Sequence, residues 1–237
     1  MFKQDLLKEL LEDMGIVEDQ VSGPLFRFRE MILDWNDKIN LTAITGEEEM
    51  YLKHFIDSYL IMKTGINLSK KRILDLGTGS GFPGIPLALY WKNSEFTLVD
   101  SLAKRITFLE RVVDELKIKN VTLIHGRAED LAKLKEYREN FDLVVSRAVA
   151  ELPVLLEYAL PFVKKEGDFV AYKGSHYVKE MENSHNALEL LGGEILNTFE
   201  YELPLNHDFR ALIQVRKVMN TPFRYPRKPG KASKNPL

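Results

Sequence analysis

The chain has 237 residues, 45% of them hydrophobic, no cysteine and a formal net charge of −2, enough for one sizeable core plus an appendage. The missing cysteines exclude disulfides, cysteine-ligated zinc and thiol nucleophiles. The longest apolar run falls short of 18 residues, and the start MFKQDLLKELLED is acidic and amphipathic rather than a signal peptide, so a cytoplasmic protein without a membrane span is expected.

Residues 1–65 read as helices. Leu6, Leu7, Leu10, Leu11 and Met14 recur on one apolar face, and Gly15 is a helix stop. Phe26, Met31, Ile32, Trp35 and Ile39 outline a second amphipathic helix, with Trp35 as core, and 47–63 read as a third. In the third, His54, Asp57 and Ser58 share one face. They form either a catalytic pair or a polar seam docking the helices onto the sheet domain.

After a polar connection, ILDLGTGSGFPGIPLA (73–88) runs an apolar strand into Asp75, then glycines at 77, 79, 81 and 84, then a helix. Such a loop lets the backbone approach a ligand, and a helix start offers free N–H groups to a charged one. Gly79, Gly81 and Gly84 satisfy the dinucleotide pattern G-x-G-x-x-G. Asp75 with Gly77, Gly79 and Gly81 equally satisfies D-x-G-x-G-x-G, which looks like the S-adenosylmethionine (SAM) loop of class I methyltransferases. Asp100 ends the next strand and can accept both ribose hydroxyls. Both cofactors carry that ribose, so Asp100 does not choose between them.

Strands at 72–76, 95–100, 121–125, 141–146 and 167–173 alternate with helical patterns, clearest at 102–117 and 150–164. That rhythm predicts a doubly wound α/β sheet. Two more strands, near 194–203 and 210–217, are joined by too short a link for a parallel crossover. The expectation is a mostly parallel seven-stranded sheet with an antiparallel edge strand, the class I SAM-dependent methyltransferase (Rossmann-like) arrangement. The expected division is a helical domain 1–66, a cofactor-binding domain 67–217 and a tail 218–237.

Ligands in such sheets sit beyond the carboxyl ends of the strands. Ala128 and Glu129, in HGRAED (125–130), are placed to meet an adenine, although Glu129 also suits a helix N-terminus. Arg147, in SRAVAE (146–151), offers fixed donors to a carboxylate, a phosphate or a base carbonyl, or else forms a surface ion pair. The chain has no Asn/Asp-Pro-Pro-aromatic motif, the usual grip on an exocyclic amine. Without cysteine, covalent pyrimidine C5 methylation and cluster-based radical chemistry are excluded. Guanine N7 remains an attractive acceptor because its lone pair is free at neutral pH and needs no base.

From Arg216 onward there are seven Lys/Arg and no Asp/Glu, leaving residues 1–215 with 26 basic and 35 acidic side chains. Residues 218–237 contain four prolines and read as an extended, mobile tail. Its cations and aromatics suit either an RNA contact or a solvated terminus.

The segments WNDKINLTAIT (35–45), YLKHFIDS (51–58), LDLGTGSGFPGIPLA (74–88), VDSLAKRITFLE (99–110), GRAED (126–130), SRAVA (146–150), YKG (172–174) and RYPRKPGKASKNPL (224–237) together resemble the RsmG (glucose-inhibited division protein B) family of bacterial rRNA methyltransferases. The resemblance covers almost the whole chain. It implies methyl transfer from SAM to N7 of guanine 527 in 16S rRNA, with SAM contacts at Gly77, Phe82, Ala128, Glu129 and Arg147. The residue reading adds Asp75, Gly79, Gly81 and Asp100. For RNA, Lys104, Arg105, Lys173, Arg224, Arg227 and Lys228 are the candidates, and neither reading supplies a catalytic base. The 16S rRNA or small subunit is the expected partner, and nothing demands more than a monomer. A nicotinamide-dependent dehydrogenase and a non-catalytic RNA-binding factor on the same fold are the competing readings.

Overall fold

The computed structural model describes residues 4–205 and 207–237. Helices α1 (Gln4–Asp13) and α2 (Ser22–Ile39) open the chain. A continuous helical run comes next, made of α3 (Glu47–Met50), a π-helical stretch (Tyr51–Ile56), α4 (Asp57–Tyr59) and a 3-10 turn (Leu60–Thr64). From there β1 (Arg72–Leu76), α5 (Gly84–Tyr90), β2 (Glu95–Asp100), α6 (Ala103–Glu115), β3 (Val121–His125), α7 (Ala128–Leu131) and β4 (Phe141–Arg147) alternate. The chain continues through α8 (Leu152–Ala159), β5 (Val163–Lys173), α9 (Tyr177–Glu182), α10 (His185–Leu191), β6 (Gly193–Glu202), β7 (Phe209–Lys217) and α11 (Lys231–Lys234).

The seven strands form one sheet in the order β3-β2-β1-β4-β5-β7-β6. The first five are mutually parallel, and β7 is antiparallel to both its neighbours. The antiparallel strand therefore lies inside the sheet, and β6 takes the edge expected for it. Burial explains the exchange: β7 is apolar and buried along ALIQV (211–215), whereas β6 alternates half-buried and exposed residues and carries Glu194, Glu200 and Glu202. A charged, half-solvated strand suits an edge.

Strand side chains alternate between two apolar layers. Ile73, Phe96, Leu98, Leu143, Val145 and Val170 meet α5, α6 and the N-terminal helices in one continuous cluster. Leu74, Val144, Phe169, Ala171 and Ile213 meet α8 and α10 on the other face. Residues expected to extend α8 to 164 instead turn at Pro161–Phe162 and begin β5 at Val163.

Residues 218–237 contain only the single turn α11, yet they are not loose. Arg138 donates to the carbonyls of Thr221 and Tyr225. Arg227 clamps Glu157, which is 1% exposed. Tyr225 and Ala232 are buried. The expected mobility fails because a buried carboxylate on α8 needs a cation, and the tail supplies it.

Candidate functional site

The sheet order reverses between β1 and β4, and the glycine loop leaves β1 at that switch point. Asp75 is fully buried. Its Oδ2 accepts from the Thr78 hydroxyl at 2.7 Å and from the Gly84 N–H at 2.8 Å, drawing the two ends of the loop together. Its Oδ1 is buried without a partner. Burial, the largest influence, pushes the Asp75 carboxyl up to about 6.

The first amides of α5 are already used. Pro83 and Pro86 have none, Gly84 donates to Asp75, and Ile85 donates to the Gly81 carbonyl. The free N–H groups expected at this helix start are therefore absent, and a carboxylate occupies the place where a pyrophosphate would need donors. The loop is shaped for a ligand without phosphate.

Asp100, 3% exposed, accepts from the Gly79 N–H at 2.9 Å and the Leu102 N–H at 2.8 Å, with the Arg105 guanidinium at 3.2 Å. It thus ties the loop to the start of α6. Gly77, at φ 72°, carries no side chain because a Cβ there would overlap Val149. Around these residues lies a cleft of about 220 Å³ lined by Gly77, Asp100, Ser101, Ala128, Glu129, Val149 and Tyr158, among others. Ala128 and Glu129 open α7, and one Glu129 oxygen accepts from the Gly230 N–H at 3.1 Å. Glu129 thus lies both in the first turn of α7 and in the wall of this cleft.

Val149 also lines a second cleft of about 550 Å³, with His54, Asp57, Arg147, Lys173 and Arg210 in its walls. Arg147 bonds Asp57 at 2.6 Å, and Arg210 bonds the other Asp57 oxygen at 2.9 Å. Arg147 also donates to the Lys53 carbonyl, meets His54 Nδ1 at 3.2 Å and lies over the Phe82 ring. With Nδ1 accepting from Arg147, His54 Nε2 carries the proton toward Thr42 Oγ1 at 2.9 Å. Burial, then the Arg147 charge, holds the imidazole down to about 3. The HFIDS face is therefore a polar seam joining the helices to the sheet, with its histidine held neutral and both its nitrogens engaged.

Phe82 packs inward among Phe28, Phe55 and His54, so its side chain pins the loop to the N-terminal helices. Lys173, its side chain only 8% exposed, binds the Ala150 carbonyl at 2.7 Å and Glu180 at 2.6 Å. Glu180 in turn accepts from the Leu152 N–H. This pair braces the loop after β4, where Ala148 sits at φ 56°. Of the RNA candidates, Arg105, Lys173 and Arg227 are already paired within the chain, whereas Lys104, Arg224 and Lys228 are exposed. Gly79 and Gly81 shape the loop at φ 60° and 101°.

Sequence reasoning missed Val149, Tyr158, Arg210, Glu180 and Glu157. Only Glu157 had a signal, as a lone carboxylate inside the apolar helix LPVLLEYA.

The family model described as rRNA small subunit methyltransferase G matches residues 23–206. A ribosomal RNA small subunit methyltransferase G from Thermoanaerobacter sp. (strain X514) is 48% identical over 234 residues, 98% of each chain. That of Desulfitobacterium hafniense (strain Y51) is 50% identical over 210 residues, 89% of this chain and 87% of the other. That of Alkaliphilus oremlandii (strain OhILAs) is 42% identical over 235 residues, 99% and 98%. Among solved structures, M. jannaschii TYW2 in complex with AdoMet aligns with TM-score 0.53 and 17% identity over 65% of this chain and 72% of that one. The YcgJ protein of Bacillus aligns with TM-score 0.54 and 16% identity over 70% of this chain and all of that one. At those identities the two structures speak to the fold alone.

Proposed function

The chain belongs to the rRNA small subunit methyltransferase G family, and from that premise we propose that it methylates N7 of one guanine in 16S rRNA, guanine 527, using S-adenosylmethionine. The observation that carries the cofactor reading is the closed start of α5. Its amides are spent on Asp75 and Gly81, so the loop suits a ligand with no phosphate. The start of α5 has no free amide to offer the pyrophosphate of a nicotinamide cofactor, and the family gives that alternative no support.

The residues present fit SAM. Asp75, buried beneath the loop, holds its shape through Thr78 and Gly84. Gly77 leaves room where a side chain would overlap Val149. Asp100 retains acceptor capacity for a ribose hydroxyl, since an ionised carboxylate has about four lone-pair sites, and Ala128 and Glu129 line the end where an adenine belongs. SAM bound there supplies an electrophilic methyl carbon, and guanine N7 supplies the lone pair that takes it.

The protein's own work is placement. Val149 stands between the two clefts and contributes to both, which suits a nucleoside on one side and an acceptor base on the other. Lys173 and Glu180 fix the loop carrying Val149, so the acceptor cleft is held before substrate arrives. No proton needs to leave N7 before attack, in keeping with a site whose histidine is neutral and hydrogen-bonded at both nitrogens. Among the RNA candidates, Lys104, Arg224 and Lys228 are exposed and suit contacts to phosphates, while Arg147 serves the seam with Asp57.

The test is nucleoside analysis of 16S rRNA from cells with and without the gene. Loss of one 7-methylguanosine at guanine 527, restored by the wild-type chain, supports the proposal. An unchanged 7-methylguanosine content refutes it.

A further inference from the structure

The C-terminal segment touches the smaller cleft directly. Gly230 donates its N–H to Glu129 Oε1 at 3.1 Å, and the Ser233 hydroxyl lies 3.0 Å from the Tyr158 hydroxyl. Glu129 and Tyr158 are both wall residues of that cleft. Glu129 Oε2 has no partner among the described residues. Gly230 adopts φ 77°, and nothing lies within 4 Å of where its Cβ would be. The glycine therefore serves the backbone conformation that presents this amide, not a shortage of space.

The segment is firmly held on either side of that amide. Upstream, Arg227 grips buried Glu157 through Nε at 2.9 Å and through its backbone N–H at 2.7 Å. Glu157 is the neighbour of Tyr158 on α8. Downstream, Ala232 is buried at 2% exposure, and the Asn235 carbonyl accepts from Arg227. An amide held this way fixes one Glu129 oxygen and leaves the other for a ligand in the cleft.

We propose that residues 230–235 are a positioning wall of the cofactor site, holding Glu129 and Tyr158 so that SAM affinity depends on the C-terminal segment. This rests on the cofactor reading above and assigns the basic tail a role beyond meeting phosphates. The direct consequence is coupling: the tail acts on the cofactor through Glu129.

Isothermal titration with SAM and with S-adenosylhomocysteine tests it on four chains: the full chain, the chain ending at residue 229, and each with Glu129→Ala. The shortened chain keeps the Arg227–Glu157 ion pair and the Arg138 contacts. The expected result is a tenfold or greater loss of affinity on truncation, falling to threefold or less when Glu129 is already alanine. Ser233→Ala in the full chain, which uncovers no buried charge, is expected to weaken SAM two- to threefold and guards against a folding defect. Truncation that leaves the dissociation constant within twofold, or that costs the same in both backgrounds, overturns the inference while SAM binding by the full chain leaves the cofactor reading standing. Failure of the full chain to bind SAM overturns both.

Discussion

Asp75 and Asp100 share a loop yet face different demands. Asp75 is sealed beneath it, with one oxygen bridging Thr78 and Gly84, while Asp100 stands in the cleft wall. With one acceptor site left for a ribose hydroxyl, Asp100→Ala is expected to weaken SAM by about 1.5–3 kcal/mol, the scale of a hydrogen bond to a charged group. Calorimetry showing unchanged affinity removes Asp100 from the site. His54 gives a second prediction at this scale. Its folded value of about 3 lies below the ordinary 6.5, so between them the unfolded chain binds more protons. Its stabilising contribution is complete above pH 6.5 and is lost as pH falls toward 3. Wild type should lose about 2–3 kcal/mol more than His54→Gln between pH 7 and pH 4, one unit of pKa difference being worth about 1.4 kcal/mol. Parallel unfolding curves at the two pH values contradict this. The sequence placed His54, Asp57 and Ser58 on one face but could not show that Arg147 and Arg210, far away in the chain, complete the seam.

At the level of elements, the first three strands were legible to the residue because each is a short apolar run bounded by turn-forming or charged residues. The α8–β5 boundary was not, since LPVLLEYALPFV stays apolar through the turn and periodicity alone cannot mark where the helix stops. Nor could local pattern place β7 inside β6, because strand order is decided by which surface is buried across the whole sheet. The tail was misjudged for a similar reason: its composition looks disordered, and the charge that holds it, Glu157, lies 70 residues away. Removing one partner of a buried ion pair leaves an uncompensated charge, costing about 3–5 kcal/mol. Arg227→Ala should therefore lower the unfolding free energy by that amount in urea. A loss below about 1 kcal/mol would show that the tail is only laid on the surface.

Across the whole molecule, charge and shape point to one end of the sheet. An acidic body carries a basic C-terminal segment, and that segment docks beside the smaller cleft, with Arg224 and Lys228 exposed. Phe223, 90% exposed, adds an aromatic face of the kind that stacks on an unpaired base. The glycine loop, the carboxylates at 75, 100 and 129, and Arg147 were all visible in the sequence. The division of labour among them was not, since it depends on which polar groups the folded chain satisfies internally. The most direct measurement is to incubate the purified protein with methyl-labelled SAM and small ribosomal subunits from a strain lacking the gene, then identify the labelled nucleoside. Label is expected in 7-methylguanosine at a single position of 16S rRNA. Absence of label while SAM is bound, or label on any other atom, contradicts it.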